Sequence, residues 1–135
     1  VIRSWLPSRV LYQSVYVSME ERHADNWHEE YGLWNGDSYL YQKKFLPIIP
    51  YSIKGIIWYQ GESNTTIPES KVYTELLIRL ISSWREDLKD IELPFIVVEI
   101  CDFDGRNDDG WRAIQYCQQE IVNYCKNVKK LSLQI

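Results

Sequence analysis

The spacing of apolar and polar positions changes several times along the chain, and each change predicts an element. Ile53 to Tyr59 is a short apolar run broken only by Lys54 and Gly55, the pattern of a buried strand. It gives way to Gln60-Gly61-Glu62-Ser63-Asn64, a knot of polar side chains around a glycine. Thr65 to Ser70 then reads as a loop entering a helix. Val72, Leu76, Leu77, Leu80, Ile81, Trp84 and Leu88 follow at helical spacing, one apolar stripe over about five turns. Glu75 and Arg79 form a favourably oriented i,i+4 pair on that helix. Pro94 closes the next connection, and Phe95-Ile96-Val97-Val98-Glu99-Ile100 is a second buried-strand pattern, rich in β-branched residues. Asp102 to Asp109 is a polar loop. A second amphipathic helix carries Trp111, Ile114, Cys117, Ile121 and Cys125 on one side, and Leu131-Ser132-Leu133 opens a third strand.

The first third of the chain is less regular. Val10, Tyr12, Val15 and Val17 alternate with polar residues, which predicts an extended segment within residues 1–20. Residues 20–44 are polar and aromatic with many turn formers and read as irregular, with room for a short helix. From residue 53 the order is strand, helix, strand, helix, strand. That order predicts an α/β protein with a parallel sheet built from right-handed crossovers. Ligands of open α/β sheets bind outside the carboxyl ends of the strands. The polar knot lies at such an end.

Length and charge narrow the partners. A chain of 135 residues suits one domain. Fifteen Lys and Arg against nineteen Asp and Glu give a net charge of -4, which argues against nucleic acid as the main partner. No apolar run reaches the roughly 18 residues of a membrane span. The aromatic share of 14%, with six Trp and ten Tyr, fits a heavy core or a sugar-binding cleft. Trp84 and Trp111 fall at helical core spacing. Strand alternation sends Trp58 and Tyr59 to opposite faces, so one of them is expected toward the cleft. The three cysteines, Cys101, Cys117 and Cys125, match no zinc spacing and read as reduced core thiols.

The chemistry concentrates in the knot. Gln60 and Asn64 offer amide donors, Gly61 lets the backbone approach a ligand, and Glu62 offers a carboxylate. Preorganised donors of this kind suit the charge that develops on a carbonyl oxygen during acyl transfer. Three other clusters carry weaker signals. Gly36-Asp37-Ser38 lacks a buried strand before it and reads as a turn. His23 and His28, beside Asp25, Glu29 and Glu30, lack the i,i+4 spacing of a helical zinc motif and read as a solvated face. Asp102, Asp104, Asp108 and Asp109 lack the calcium-loop pattern and read as an exposed loop at the ligand edge.

The string Trp58-Tyr59-Gln60-Gly61-Glu62-Ser63-Asn64 closely resembles the signature of the sialate O-acetylesterase-like carbohydrate esterases, in the SGNH-hydrolase superfamily. Similarity extends to Ile53-Lys54-Gly55, to Tyr73 and Leu77 through Trp84-Arg85, to Leu93-Pro94-Phe95, to Trp111, Ile114 and Gln118, and to Val1 through Leu6. It thins at about residues 20–45. The resemblance implies a three-layer α/β/α domain with a parallel sheet, SGNH- or flavodoxin-like and here incomplete, over residues 1–135. It implies a serine that attacks an acetyl ester on a sugar, a histidine base, an acetylated sugar or glycan as substrate, and neither metal nor cofactor. Carried over residue by residue, Gln60 and Gly61 become oxyanion-hole or substrate-orienting groups. Glu62, Asn64 and Tyr59 become substrate-binding or site-shaping residues, Glu62 and Asn64 by hydrogen bonds that hold the loop. The family's Gly-Gln-Ser-Asn type nucleophile block and its Asp-x-x-His block do not occur here, and no histidine follows His28. Gln115 stands where members usually carry Arg. The chain, which opens on Val1, is therefore expected to be an internal piece of such an esterase and inactive by itself. A non-catalytic carbohydrate-binding or structural module of the same fold is the competing expectation.

Overall fold

A computed structural model describes residues 1–11, 36–106 and 108–133. Three strands, β1 (Ile56–Trp58), β2 (Phe95–Glu99) and β3 (Val128–Ser132), form one parallel sheet in the order β1-β2-β3. The register pairs Ile56 with Phe95, Trp58 with Val97, and Phe95 with Val128. A single helical turn, α1 (Ser8–Leu11), precedes the sheet in sequence. Helix α2 (Ile67–Asp87) connects β1 to β2, and α3 (Asp109–Glu120) connects β2 to β3. This is the α/β architecture with a parallel sheet that the pattern predicts.

The helices pack on the sheet because their stripes match its inner face. Trp58, Phe95, Val97 and Val128 share one core with Tyr73, Leu76, Leu77, Leu80, Ile81 and Trp84 of α2 and with Trp111 and Ile114 of α3. On the opposite face Ile57 is 71% exposed, and Ile96 and Leu131 are open as well. Among the described residues, then, one helical layer and the sheet are present out of the three layers expected. Each Leu buried in α2 contributes about 2 kcal/mol relative to leaving it in water. Thr66 caps α2 by accepting from the Glu69 N–H at 3.4 Å, and Pro68 occupies its first turn, where a missing N–H costs nothing.

The expected extended segment is not found where residues 1–20 are described. Ile2–Trp5 is a 3₁₀ turn and α1 follows it, with Pro7 accepting from the Val10 and Leu11 N–H groups. The physical reason is the spacing of burial. Ile2, Leu6 and Leu11 are the buried apolar residues, four and five apart, which a strand of period two does not satisfy. The alternating residues Tyr12, Val15 and Val17 lie outside the described residues. So do His23 and His28. Residues 41–48 form short helical turns, Tyr41–Phe45 and Leu46–Ile48, within and just after the stretch read as irregular. β1 is shorter than the predicted 53–59, and β3 starts at Val128, three residues before the predicted 131.

An aromatic cluster joins the N-terminal turns to α2. Trp84 stacks on Phe45 at 4.0 Å between centroids, packs edge-on to Trp5 and Trp58, and donates its indole N–H to the Trp5 carbonyl at 3.0 Å. Below it, the buried Arg85 ties the end of α2 to both strand entrances. Its guanidinium donates to the carbonyls of Leu93 (3.0 Å), Lys126 (2.8 Å) and Asn127 (3.3 Å) and lies over the Phe95 ring. Arg85→Met keeps the stem but strips three carbonyls of charge-assisted donors. A loss of about 3 kcal/mol is expected from urea unfolding. Arg85→Lys should recover less than half of it, because an ammonium cannot span the three acceptors. A Met variant as stable as the parent would refute this account.

Candidate active site at the carboxyl edge of the sheet

β1 ends at Trp58, and the chain then crosses the carboxyl edge of the sheet through Tyr59, Gln60 and Gly61 before the 3₁₀ turn Glu62–Asn64. Alternation divides the aromatic pair as expected. Trp58 points into the core and Tyr59 is 52% exposed at the edge. Burial and the neighbouring Cys101 thiol push the Tyr59 hydroxyl above its ordinary value.

Gln60 is half-buried and its side-chain amide is oriented at both ends. Its Nε2 donates to Asn64 Oδ1 at 2.6 Å, and its Oε1 lies 3.2 Å from the Tyr73 hydroxyl. The assignment of N and O follows from the partners. Asn64 Oδ1 also accepts the Ile2 backbone N–H at 3.0 Å, so that atom is an oxygen, and its Gln60 neighbour must be the donor. Asn64 Nδ2 in turn donates to Glu69, and Glu69 pairs with Arg3. Arg3, itself buried, also faces Asp37 at 3.2 Å. A polar chain thus runs from the N-terminal turn through Glu69 and Asn64 to Gln60. One Nε2 hydrogen of Gln60 is left without a partner among the described residues.

The Gln60 carbonyl is held as firmly as its side chain. It accepts from the Tyr73 hydroxyl at 2.9 Å and from Gln118 Nε2 at 2.7 Å. Burial pushes the Tyr73 hydroxyl far above the ordinary phenol value, so it stays a donor at any working pH. Gly61 is buried. A Cβ there would stand 2.8 Å from both Gln118 Nε2 and Ile114 Cγ2. Its N–H has no hydrogen-bond partner among the described residues.

The knot's other members divide. Asn64 is fully buried and holds the turn through three hydrogen bonds. Glu62 is exposed, and its side chain holds nothing among the described residues; only its carbonyl is engaged, accepting from Thr65 Oγ1 at 3.0 Å.

Next along the edge, after β2, an open cleft of about 520 Å³ is lined by Asp102, Phe103, Asp104, Trp111, Arg112 and Gln115. Gln115 donates to the Ile100 carbonyl and to Asp102, both at 3.0 Å, so the amide standing in the usual Arg position anchors this loop. Asp108 caps α3 by accepting the Trp111 N–H at 3.0 Å. Arg106 and that cap bond hold its carboxyl below the ordinary range. Among the described residues no group of three His, Cys, Asp or Glu is placed to hold a metal ion. Gly36-Asp37-Ser38 is a tight turn whose Ser38 is buried against Ser8. Cys101, Cys117 and Cys125 are free and half-buried.

Sequence spacing did not single out Glu69, Arg3 or Tyr73 as part of this site. Gln118 carried a usable signal. It falls at core spacing with Trp111, Ile114 and Ile121, and a polar residue on an apolar stripe must find partners.

Over 101 residues the chain is 30% identical to the human and the Pongo abelii sialate O-acetylesterases, covering 68% of this chain and 19% of each of those. The mouse sialate O-acetylesterase is 29% identical over the same length. The chain therefore spans about a fifth of the length of the curated relatives it matches. A crystal structure of a carbohydrate acetylesterase from Xanthomonas citri superposes with a TM-score of 0.78 at 23% identity, over 98% of this chain and 28% of that one, a likeness of fold. The family model for carbohydrate esterase, sialic acid-specific acetylesterase, matches residues 2–135. On that match the chain belongs to the sialic acid-specific acetylesterase family of carbohydrate esterases.

Proposed function

We propose that this chain supplies one wall of the acyl pocket of a serine carbohydrate O-acetylesterase that removes acetyl groups from sialic acid or a related glycan. The observation that supports this reading is the pair of uncommitted donors at the end of β1. Gln60 Nε2–H and Gly61 N–H are both fixed by their other bonds and both lack a partner among the described residues. Such donors stabilise an oxyanion without reorganising as charge develops. In the proposed reaction a serine hydroxyl adds to the acetyl carbonyl and its proton passes to a histidine. The carbonyl oxygen becomes the oxyanion held by Gln60 and Gly61. Collapse breaks the bond to the sugar oxygen, which takes that proton from the histidine and leaves as a hydroxyl, and water, deprotonated by the same histidine, then releases acetate from the acetyl-serine. Serine and histidine come from outside the 135 residues. The sugar lies along the cleft beside Phe103, whose ring is 57% exposed.

Two measurements test this. In the protein at its natural length, Gln60→Ala is expected to lower kcat on an acetylated sialic acid about 100-fold, with KM changed far less. Wild-type kcat in that variant would overturn the assignment. The 135-residue chain by itself is expected to bind acetylated glycan weakly and not to turn it over. Acetate release from the purified chain would show that a nucleophile lies within it. Binding without turnover by the natural-length protein would favour the non-catalytic module instead.

A further inference from the structure

Gln118 is a fully buried amide on α3 that touches neither solvent nor the cleft, yet it joins the ends of two strands. Its Oε1 accepts the Ile100 N–H at 2.9 Å, just after β2. Its Nε2 donates to the Gln60 carbonyl at 2.7 Å, just after β1, and lies 3.4 Å from the Tyr73 hydroxyl. The orientation is not arbitrary. A backbone N–H faces one end and a backbone carbonyl the other, so oxygen and nitrogen are fixed by their partners. Its two shortest hydrogen bonds are therefore directed at the backbone of the site.

The consequence is geometric. The Gln60–Gly61 peptide is trans, so its carbonyl and its N–H point in opposite directions. Holding the carbonyl toward α2 and α3 turns the Gly61 N–H away from them. Two donors on one carbonyl, from Tyr73 and Gln118, leave that peptide little freedom to rotate. The missing Cβ of Gly61 is what lets Gln118 come this close.

We infer that Gln118 is a positioning residue for acyl transfer: it clamps the Gln60 carbonyl to the end of β2 and thereby aims the Gly61 N–H at the reacting oxygen. This rests on the reading of Gln60 and Gly61 as oxyanion donors. Tyr73 is the second hand of the clamp and sits beside Gln118 on the same carbonyl.

The test uses the natural-length protein and an aryl acetate as the probe. Gln118→Met keeps the length and loses both bonds. It is expected to lower kcat about 10- to 100-fold while KM moves less than about threefold. Gln118→Glu gives a second reading that a purely structural residue would not. One of its oxygens still accepts from Ile100. The other repels the Gln60 carbonyl when ionised and donates to it only when protonated. Its kcat relative to wild type should therefore rise as pH falls, over a range in which near-UV circular dichroism shows it folded. This arm stands even if the Met variant fails to fold. Gln60→Ala in parallel separates the two ideas. Should Gln60→Ala keep wild-type kcat, the oxyanion reading itself falls. Should Gln60→Ala slow turnover while folded Gln118→Met or Gln118→Glu keeps wild-type kcat at every pH, the positioning role alone is overturned.

Discussion

Gly110→Ala is expected to destabilise the protein by about 4 kcal/mol, more than an ordinary overpacking substitution. Gly110 lies in the first turn of α3, where the helix meets the turn that follows β1. An added methyl would overlap the Thr65 carbonyl oxygen outright and stand 2.8 Å from its carbon. Neither party is a side chain that can swing away. Thr65 is buried, its hydroxyl donates to the Glu62 carbonyl, and that same oxygen accepts from Arg106 at 2.6 Å. Relief therefore requires the backbone of 62–65 and the start of α3 to part, and Asn64 moves with them. The better helix propensity of Ala returns at most about 1 kcal/mol. Gly105→Ala is the control. There the nearest atoms belong to the exposed Phe103 ring, which can turn aside, and a change within about 0.5 kcal/mol is expected. Urea unfolding of both variants checks the pair. Equal midpoints would mean that α3 and the 62–65 turn are not packed backbone to backbone.

The contrast between these glycines shows what the sequence could carry. The order of strands and helices along the chain was legible because each element depends on local period: β-branched runs for β1 and β2, a seven-residue apolar stripe for α2. The parallel arrangement followed from alternation of strands and helices alone. The polar knot was legible as a string, and its family resemblance pointed to Gln60 and Gly61. What was hidden is long-range pairing. Ile2 meets Asn64 and Arg3 meets Glu69 across more than sixty residues, so the N-terminal turns have no local reason to be where they are. Their helical shape likewise depends on burying Ile2, Leu6 and Leu11 against α2 and its neighbours, which the alternation of Val10 with Tyr12 could not reveal. Glu62 departs in another way. Its place in the string suggested a carboxylate that binds substrate or holds the loop, and the turn leaves it exposed with no loop-holding side-chain bond among the described residues. Nothing in the local sequence marks Gly110, because the Thr65 backbone that crowds it comes from forty-five residues earlier.

Gly61→Ala is expected to be the most damaging single methyl for activity, lowering kcat about 1,000-fold in the natural-length protein. The φ of +157° already disfavours a side chain, and the methyl would meet Gln118 Nε2 and Ile114 Cγ2 at 2.8 Å and Ile100 Cγ2 at 3.3 Å. Ile114 is fixed in the core, so the substitution displaces either Gln118 or the peptide it holds. In both cases the Gln60 carbonyl loses its 2.7 Å donor, and Gln60 and Gly61 rotate together. Both proposed oxyanion donors are then misaimed at once, whereas Gln60→Ala removes one. The loss should therefore exceed that of Gln60→Ala and should appear in kcat rather than KM, because in the proposed reading the sugar lies elsewhere along the edge. Stability should fall too, by about 2 kcal/mol, through the crowding alone. The decisive comparison pairs Gly61→Ala with Gly61→Ala/Gln118→Ala. Shortening Gln118 removes one of the two 2.8 Å contacts and leaves the one with Ile114, so it should restore stability only in part and turnover not at all, since the clamp is gone. Recovery of kcat in the double variant, which keeps the N–H of residue 61 but lacks the clamp, would mean that Gly61 is required for space alone and that Gln118 takes no part in aiming that N–H.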